Sequence, residues 1–161
     1  MKTTEEIFEI LTQQFGEDHI TLGGGEVGEQ FITVSASKLA EVAKFLRDDD
    51  RTALDVLMCL SGVHYQKEEE LGVTYHTHST ENMHKLTFKV RVPEAEPSVP
   101  SLESVWKTAN WHEREAYDMF GIIFDNHPNH TRILCPEDWD GYPLRKDYVQ
   151  QEFYQGITTR E

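Results

Sequence analysis

The strongest constraint on this chain is a change of pattern within its last third, His112 to Tyr148. It opens as a charged amphipathic helix. It then loses all helical and strand periodicity while gaining Pro128, Pro136, Pro143, Gly141, aromatic residues and clusters of Arg, Lys and Asp. Structureless runs of that length are uncommon in a compact domain unless they have a function or are disordered. Disorder fits poorly, because Ile133, Leu134, Trp139, Tyr142, Leu144 and Tyr148 are too much apolar surface to leave in water. An ordered segment without a core of its own has to lie on another surface, and the expected surface is a partner protein.

The region before it reads as one α+β domain. Thr3 and Glu6 form a capping-box pattern ahead of Ile7, Phe8, Leu11 and Phe15 at helical spacing, and Gly16 stands at the C-cap. Strand candidates His19–Leu22 and Gln30–Val34 flank Gly23-Gly24-Gly25. No Lys-Ser/Thr follows those glycines, so they read as a hairpin turn rather than a phosphate loop. Ser37 is the expected cap of a second helix with Leu39, Val42, Ala43 and Leu46 on its apolar face, stopping near Asp48-Asp49-Asp50. Leu54–Leu60 is apolar enough for a buried strand. Leu71–His78 and Lys85–Val92 alternate as strands with one wet face, Leu86, Phe88, Val90 and Val92 pointing inward in the second. Pro93 to Pro100 reads as a linker. Ser101 then caps a helical face of Leu102, Val105, Trp106, Ala109, Ala116, Tyr117 and Phe120 that ends at Gly121, as one helix or as two divided at Asn110. The order α-β-β-α-β-β-β-α gives a two-layer α+β domain over residues 1–121, helices on one face of a mixed sheet, followed by an extended partner-docking tail over 122–161.

Charge and composition exclude several functions. A net charge of −14 makes nucleic acid or an anionic membrane surface a poor direct partner and suits docking onto a basic protein face. No apolar run approaches the roughly 20 residues needed to span a bilayer, and the N-terminus lacks the apolar segment of a secretory signal. Membrane association is therefore expected only through partners. Cys59 and Cys135 form no CxxC pair and read as free thiols in a reducing compartment.

Chemistry-bearing patterns are weak. His112-Glu113 is not a zinc-protease signature, because Ala116 stands where the second histidine is required. His76, His78 and His84, or His127, His130 and Cys135, have no spacing diagnostic of zinc. No cysteine set suits an iron–sulfur cluster. Glu113, Arg114, Glu115 and Asp118 suit an ion network better than acid–base catalysis, with Arg114 and Asp118 one turn apart and able to pair. Arg132 and Arg145 suit carboxylates, on this chain or a partner. Trp111 falls off the buried face of its helix and suits a partner contact. No catalytic, cofactor-binding or metal-ligating residue is expected.

The stretch from Pro97 to Tyr148 closely resembles the 30 kDa-type subunit of the NADH:quinone oxidoreductase called respiratory complex I. The residues that carry the resemblance are Glu113, Arg114, Glu115, Asp118 and Gly121, then His127-Pro128, Arg132-Ile133-Leu134, and Asp138-Trp139 with Gly141 and Pro143 to Tyr148. Thr131, Lys107, Cys135, Tyr142 and Val149 depart from the family pattern. The resemblance implies a cofactor-free structural subunit of the peripheral arm, beside the large subunit that helps form the quinone site. NADH, FMN, iron–sulfur clusters and quinone would then belong to the assembled complex, which couples electron transfer to proton translocation on the cytoplasmic side of the cell membrane or an equivalent organelle membrane. It also implies interface or tail-pinning roles for His127, Asp138, Trp139, Lys146, Asp147 and Tyr148, beside Trp111, Glu113, Arg114, Glu115, Asp118, Arg132 and Arg145. The alternatives are the equivalent subunit of a ferredoxin-, F420H2- or hydrogenase-linked membrane complex, or a small metal-dependent hydrolase.

Overall fold

In a computed structural model, which describes residues 1–24 and 28–159, three helices pack on a five-stranded mixed sheet. Helix α1 (Thr4–Phe15) starts with the expected capping box, Thr3 and Glu6 each bonding the other's backbone N–H, and ends at Gly16. Strands β1 (Ile20–Gly23) and β2 (Phe31–Val34) pair antiparallel, with Gly25 of the glycine run lying outside the described residues. Helix α2 (Leu39–Asp48) buries the four expected apolar residues. Ser37 does not cap it: residues Ala36–Lys38 form a preceding 3-10 turn and Lys38 occupies the cap position without a side-chain capping bond. Two acids of the triplet are paired locally, Asp48 with Arg47 and Asp49 with Arg51.

Strands β3 (Val56–Tyr65), β4 (Glu70–His78) and β5 (Lys85–Pro93) complete the sheet in the order β1-β2-β5-β4-β3, and only the β2–β5 pair is parallel. Leu71, Val73 and Tyr75 face Val92, Val90 and Phe88 across the ladder, and all six are buried. Tyr75 and Phe88 stack at 4.7 Å. Strand β3 corrects the expectation of a strand buried on both faces. It is an edge strand, starts two residues later, and leaves Val56 and Met58 exposed. Leu54 is buried in the loop before it, where its carbonyl accepts the Trp106 indole N–H at 2.9 Å.

Two further differences bear on the site. The proline-rich segment contains β6 (Ser98–Pro100), which pairs parallel with β7 (Ile123–Asp125). Helix α3 spans Ala109–Phe120, so it begins well after Ser101. A single helical turn does form at Leu102, whose carbonyl accepts the Trp106 N–H. The α-helical pattern does not run straight on into α3: the Ala109 N–H bonds the Trp106 carbonyl rather than that of Val105, which accepts the Arg47 guanidinium at 2.7 Å. Gly121 ends α3 in the left-handed conformation at φ 76°, and a Cβ there would meet the Tyr142 ring at 2.5 Å. Two constraints therefore require glycine. Past it, Ile122 and Phe124 still belong to the core, so burial continues beyond residue 121. The remaining chain runs in turns to a small hairpin, β8 (Phe153–Tyr154) and β9 (Ile157–Thr158).

Candidate functional site

Two polar clamps hold the segment after Asn126 against α3 and the sheet. The first centres on Asp118, which lies on the inner side of α3 and is fully buried. Its Oδ2 accepts three consecutive backbone N–H groups, from Ile133, Leu134 and Cys135, at 3.0, 2.7 and 2.8 Å. Its Oδ1 accepts Arg132 Nη1 at 2.8 Å. Burial alone would raise this carboxyl; the three N–H bonds and the guanidinium outweigh that and hold it below its ordinary value. Arg132 completes the arrangement by donating Nη2 to the carbonyls of Trp139 and Gly141, both at 3.1 Å. One residue of α3 thus fixes residues 132–135 directly and residues 139–141 through Arg132.

Arg114 and Asp118 do not pair. With Asp118 saturated by the tail, Arg114 instead donates Nε to the Thr131 carbonyl at 3.0 Å and Nη2 to the Arg132 carbonyl at 3.0 Å. Thr131, one of the departures from the family pattern, adds its hydroxyl as an acceptor at 3.2 Å.

The second clamp joins β3, the turn after β5 and the tail. His64 is buried on β3, and its Nδ1 accepts the Lys146 N–H at 3.0 Å while Nε2 faces Glu94 at 3.3 Å. That pairing requires the proton on Nε2. Glu94 also accepts Arg145 Nη1 at 2.9 Å, and Arg145 Nε donates to the Phe120 carbonyl at 2.6 Å. Tyr142 lies under both guanidinium groups, 5.4 Å from Arg132 and 4.9 Å from Arg145. His64, Glu94 and Asp147 form the one trio of metal-ligand atoms within 4.8 Å of one another among the described residues. Both ring nitrogens of His64 are already engaged and a guanidinium sits on Glu94, so the trio is built as a latch.

Glu113 differs from its neighbours. It is buried on the core side of α3, where Oε1 accepts the Leu102 N–H and Oε2 the Ser101 hydroxyl, both at 2.6 Å. Burial dominates over these bonds and pushes its pKa up to about 7. His127 is buried 3.8 Å from Oε2, with Nε2 on the Asn110 carbonyl at 3.0 Å and Nδ1 accepting from Asn129. These two residues face inward and join the turn before α3 to the turn after β7.

The remaining sequence-selected residues lie further out. Tyr154 donates its hydroxyl to Asp138 at 2.8 Å, which lowers that carboxyl, and the Tyr154 ring packs 5.2 Å from Trp139. Tyr148 is half-buried against Gly141, and the Lys146 and Asp147 side chains are exposed. Trp111 is 70% exposed and Leu134 64%. Glu115 is exposed and has no bonding partner among the described residues. Sequence reasoning missed His64 and Glu94. The available signal was a histidine within an otherwise apolar strand run and an acid directly after Pro93, but neither spacing connects them to Lys146 or Arg145.

The site therefore defines a class: an α+β scaffold whose polar groups hold down its own tail while apolar residues of that tail stay outside. Residues 32–154 match the family model described as the 30 Kd subunit of respiratory-chain NADH dehydrogenase, and the chain belongs to that family. It is 44% identical over 154 residues to the corresponding NADH-quinone oxidoreductase subunit of Chloroherpeton thalassium, covering 95% of this chain and 64% of that one. It is 43% identical to the protein of the same name from Chlorobium phaeobacteroides, covering 93% and 91% of the two chains. Among solved structures, a trypsin-resistant fragment (1–134) of Nqo5 superposes with a TM-score of 0.60 at 25% identity, covering 78% of this chain and 97% of the fragment. A chain of an archaeal membrane-bound sulfane sulfur reductase shares the fold, with a TM-score of 0.73 at 20% identity, covering 90% of this chain and 85% of that one.

Proposed function

We propose that this chain is a structural and assembly subunit of the peripheral arm of a complex I-type NADH:quinone oxidoreductase, and that it holds no cofactor and no catalytic residue. NADH, FMN, the iron–sulfur clusters and quinone reside in neighbouring subunits, and the large quinone-site subunit is the principal partner. The chain lies peripherally on the cytoplasmic face of the membrane, or its organelle equivalent. No helix among the described residues is long and apolar enough to cross a bilayer, so attachment runs through the complex.

The observation that carries this reading is the division of labour in the tail. Its polar groups are turned inward onto Asp118, His64, Glu94 and the α3 carbonyls, while Leu134, Leu144, Val149, Phe153 and Ile157 remain exposed. An exposed apolar series on a backbone already held in place is the form of an interface that is complete only in an assembly.

The test is affinity purification of tagged chain from detergent-solubilised membranes, with mass spectrometry of what accompanies it. Recovery of iron–sulfur and quinone-site subunits is the expected result, and the NADH- and flavin-binding subunits recovered with them identify the electron donor. Recovery of the chain alone from the soluble fraction would overturn the proposal.

A further inference from the structure

The outward face of α3 borders two adjoining hollows. One, of about 330 Å³, lies between Trp111 and Ile133–Leu134. The other, of about 180 Å³, lies between α3 and β3 at Ser61–Gly62 and is bordered by Leu144. His112 and Glu115 line both, so the two form one groove crossing the helix. Glu115 is the single acidic residue of that lining, and no lysine or arginine belongs to it. The nearby cations are committed elsewhere: Arg114 to tail carbonyls, Arg132 to Asp118, and Arg145 to Glu94. Among the described residues Glu115 is thus a carboxylate without a side-chain partner, in a groove lined by apolar side chains together with Ser61 and His112, four residues from an exposed tryptophan and on the same side of the helix.

We infer that this groove seats a segment of a partner protein that presents an arginine between apolar side chains. The inference rests on the assembly reading above and names the surface and the chemistry it recognises. A planar guanidinium can fork onto the Glu115 carboxylate and stack on the Trp111 indole, whereas an ammonium can make only the first contact well. The flanking apolar residues fill the hollows beside Leu134 and Leu144. Charge balance argues against a second copy of this chain as occupant. The chain carries 29 acidic against 15 basic residues, and the arginines nearest this face are already paired.

The test uses the full chain expressed in cells that assemble the complex. A photo-reactive benzoylphenylalanine is placed at Leu134 and, separately, at exposed Phe153 as a reference. The expected Leu134 product is a cross-link to a peptide of another polypeptide with an arginine within a few residues of the attachment point. Glu115→Gln should lower its yield severalfold and Glu115→Lys roughly tenfold or more, as for loss and reversal of one desolvated interface charge. The melting temperature of the purified chain should not move, because the Glu115 side chain makes no bond among the described residues. A cross-link to a second copy or to a segment without arginine overturns the inference, as does a yield indifferent to Glu115→Lys. A product at Phe153 with none at Leu134 defeats the groove alone; no product at either position defeats the assembly reading with it.

Discussion

The sheet with its helices and the tail are held by opposite means. In the former, Leu71, Val73, Tyr75, Phe88 and Val90 share one interior of buried apolar side chains. In the latter, order depends on a few point attachments: Asp118 for residues 132–135, Arg132 for residues 139–141, and the His64–Glu94 pair for residues 145–146. Apolar burial is spread over many contacts and degrades gradually. Charge-assisted hydrogen bonds to one buried carboxylate fail together when that carboxylate is removed. The lesson is that a segment can be held in order by a few polar attachments while keeping its apolar side chains outside, as the proposed docking role of the tail requires.

This contrast can be broken by substitution. Phe88→Ala should have the largest effect, about 3–5 kcal/mol, because it empties the centre of the core. Urea unfolding followed by tryptophan fluorescence should show one global transition at lower denaturant. Asp118→Ala should cost about 3 kcal/mol, but locally, because it leaves Arg132 and three N–H groups without their acceptor. Limited proteolysis should then cut near residues 132–145 while residues 1–125 stay resistant. Equal loss of both regions would mean that they are not separately held.

Glu113→Gln sharpens the comparison through pH. The folded-state pKa of Glu113 is raised to about 7 from an ordinary 4.5. Its contribution is therefore complete below about pH 4.5 and is lost as pH climbs from there through 7, on the order of 2–3 kcal/mol across the window. The glutamine variant should lack that decline, and wild-type and variant melting temperatures measured from pH 5 to 8 should diverge with rising pH. Parallel curves would show that Glu113 titrates normally. Arg145→Ala should cost roughly 1–2 kcal/mol and be seen only in the second clamp, as faster amide exchange at Lys146. Glu115→Gln should stay within about 0.5 kcal/mol in the isolated chain and act only on assembly.

What could be read from the amino-acid order follows the same divide. The capping box at Thr3 and Glu6 and the alternation of Lys85–Val92 are local patterns, and the structure follows them. The β6–β7 pair was hidden because Pro97 and Pro100 disguise a short parallel strand whose partner lies 25 residues away. Ser101 caps only the isolated turn at Leu102, its hydroxyl accepting the Glu103 N–H at 3.2 Å while donating to Glu113, and α3 itself starts later, at Ala109. Within the site, Asp118, Arg132 and Arg145 stood out as charges in an apolar context. Their pairing was not legible: Arg114 is one turn from Asp118, but the tail outcompetes it. His64 and Glu94 meet Lys146 and Arg145 across separations of 82 and 51 residues, which no periodicity encodes.

The most direct test of the pre-ordered tail is hydrogen exchange of the isolated chain, resolved at Ile133, Leu134 and Cys135. These amides should exchange slowly in the wild type and at near-loop rates in Asp118→Ala, with the β4 and β5 amides unchanged between the two. Fast exchange at all three in the wild type would contradict the account and make tail order a product of assembly.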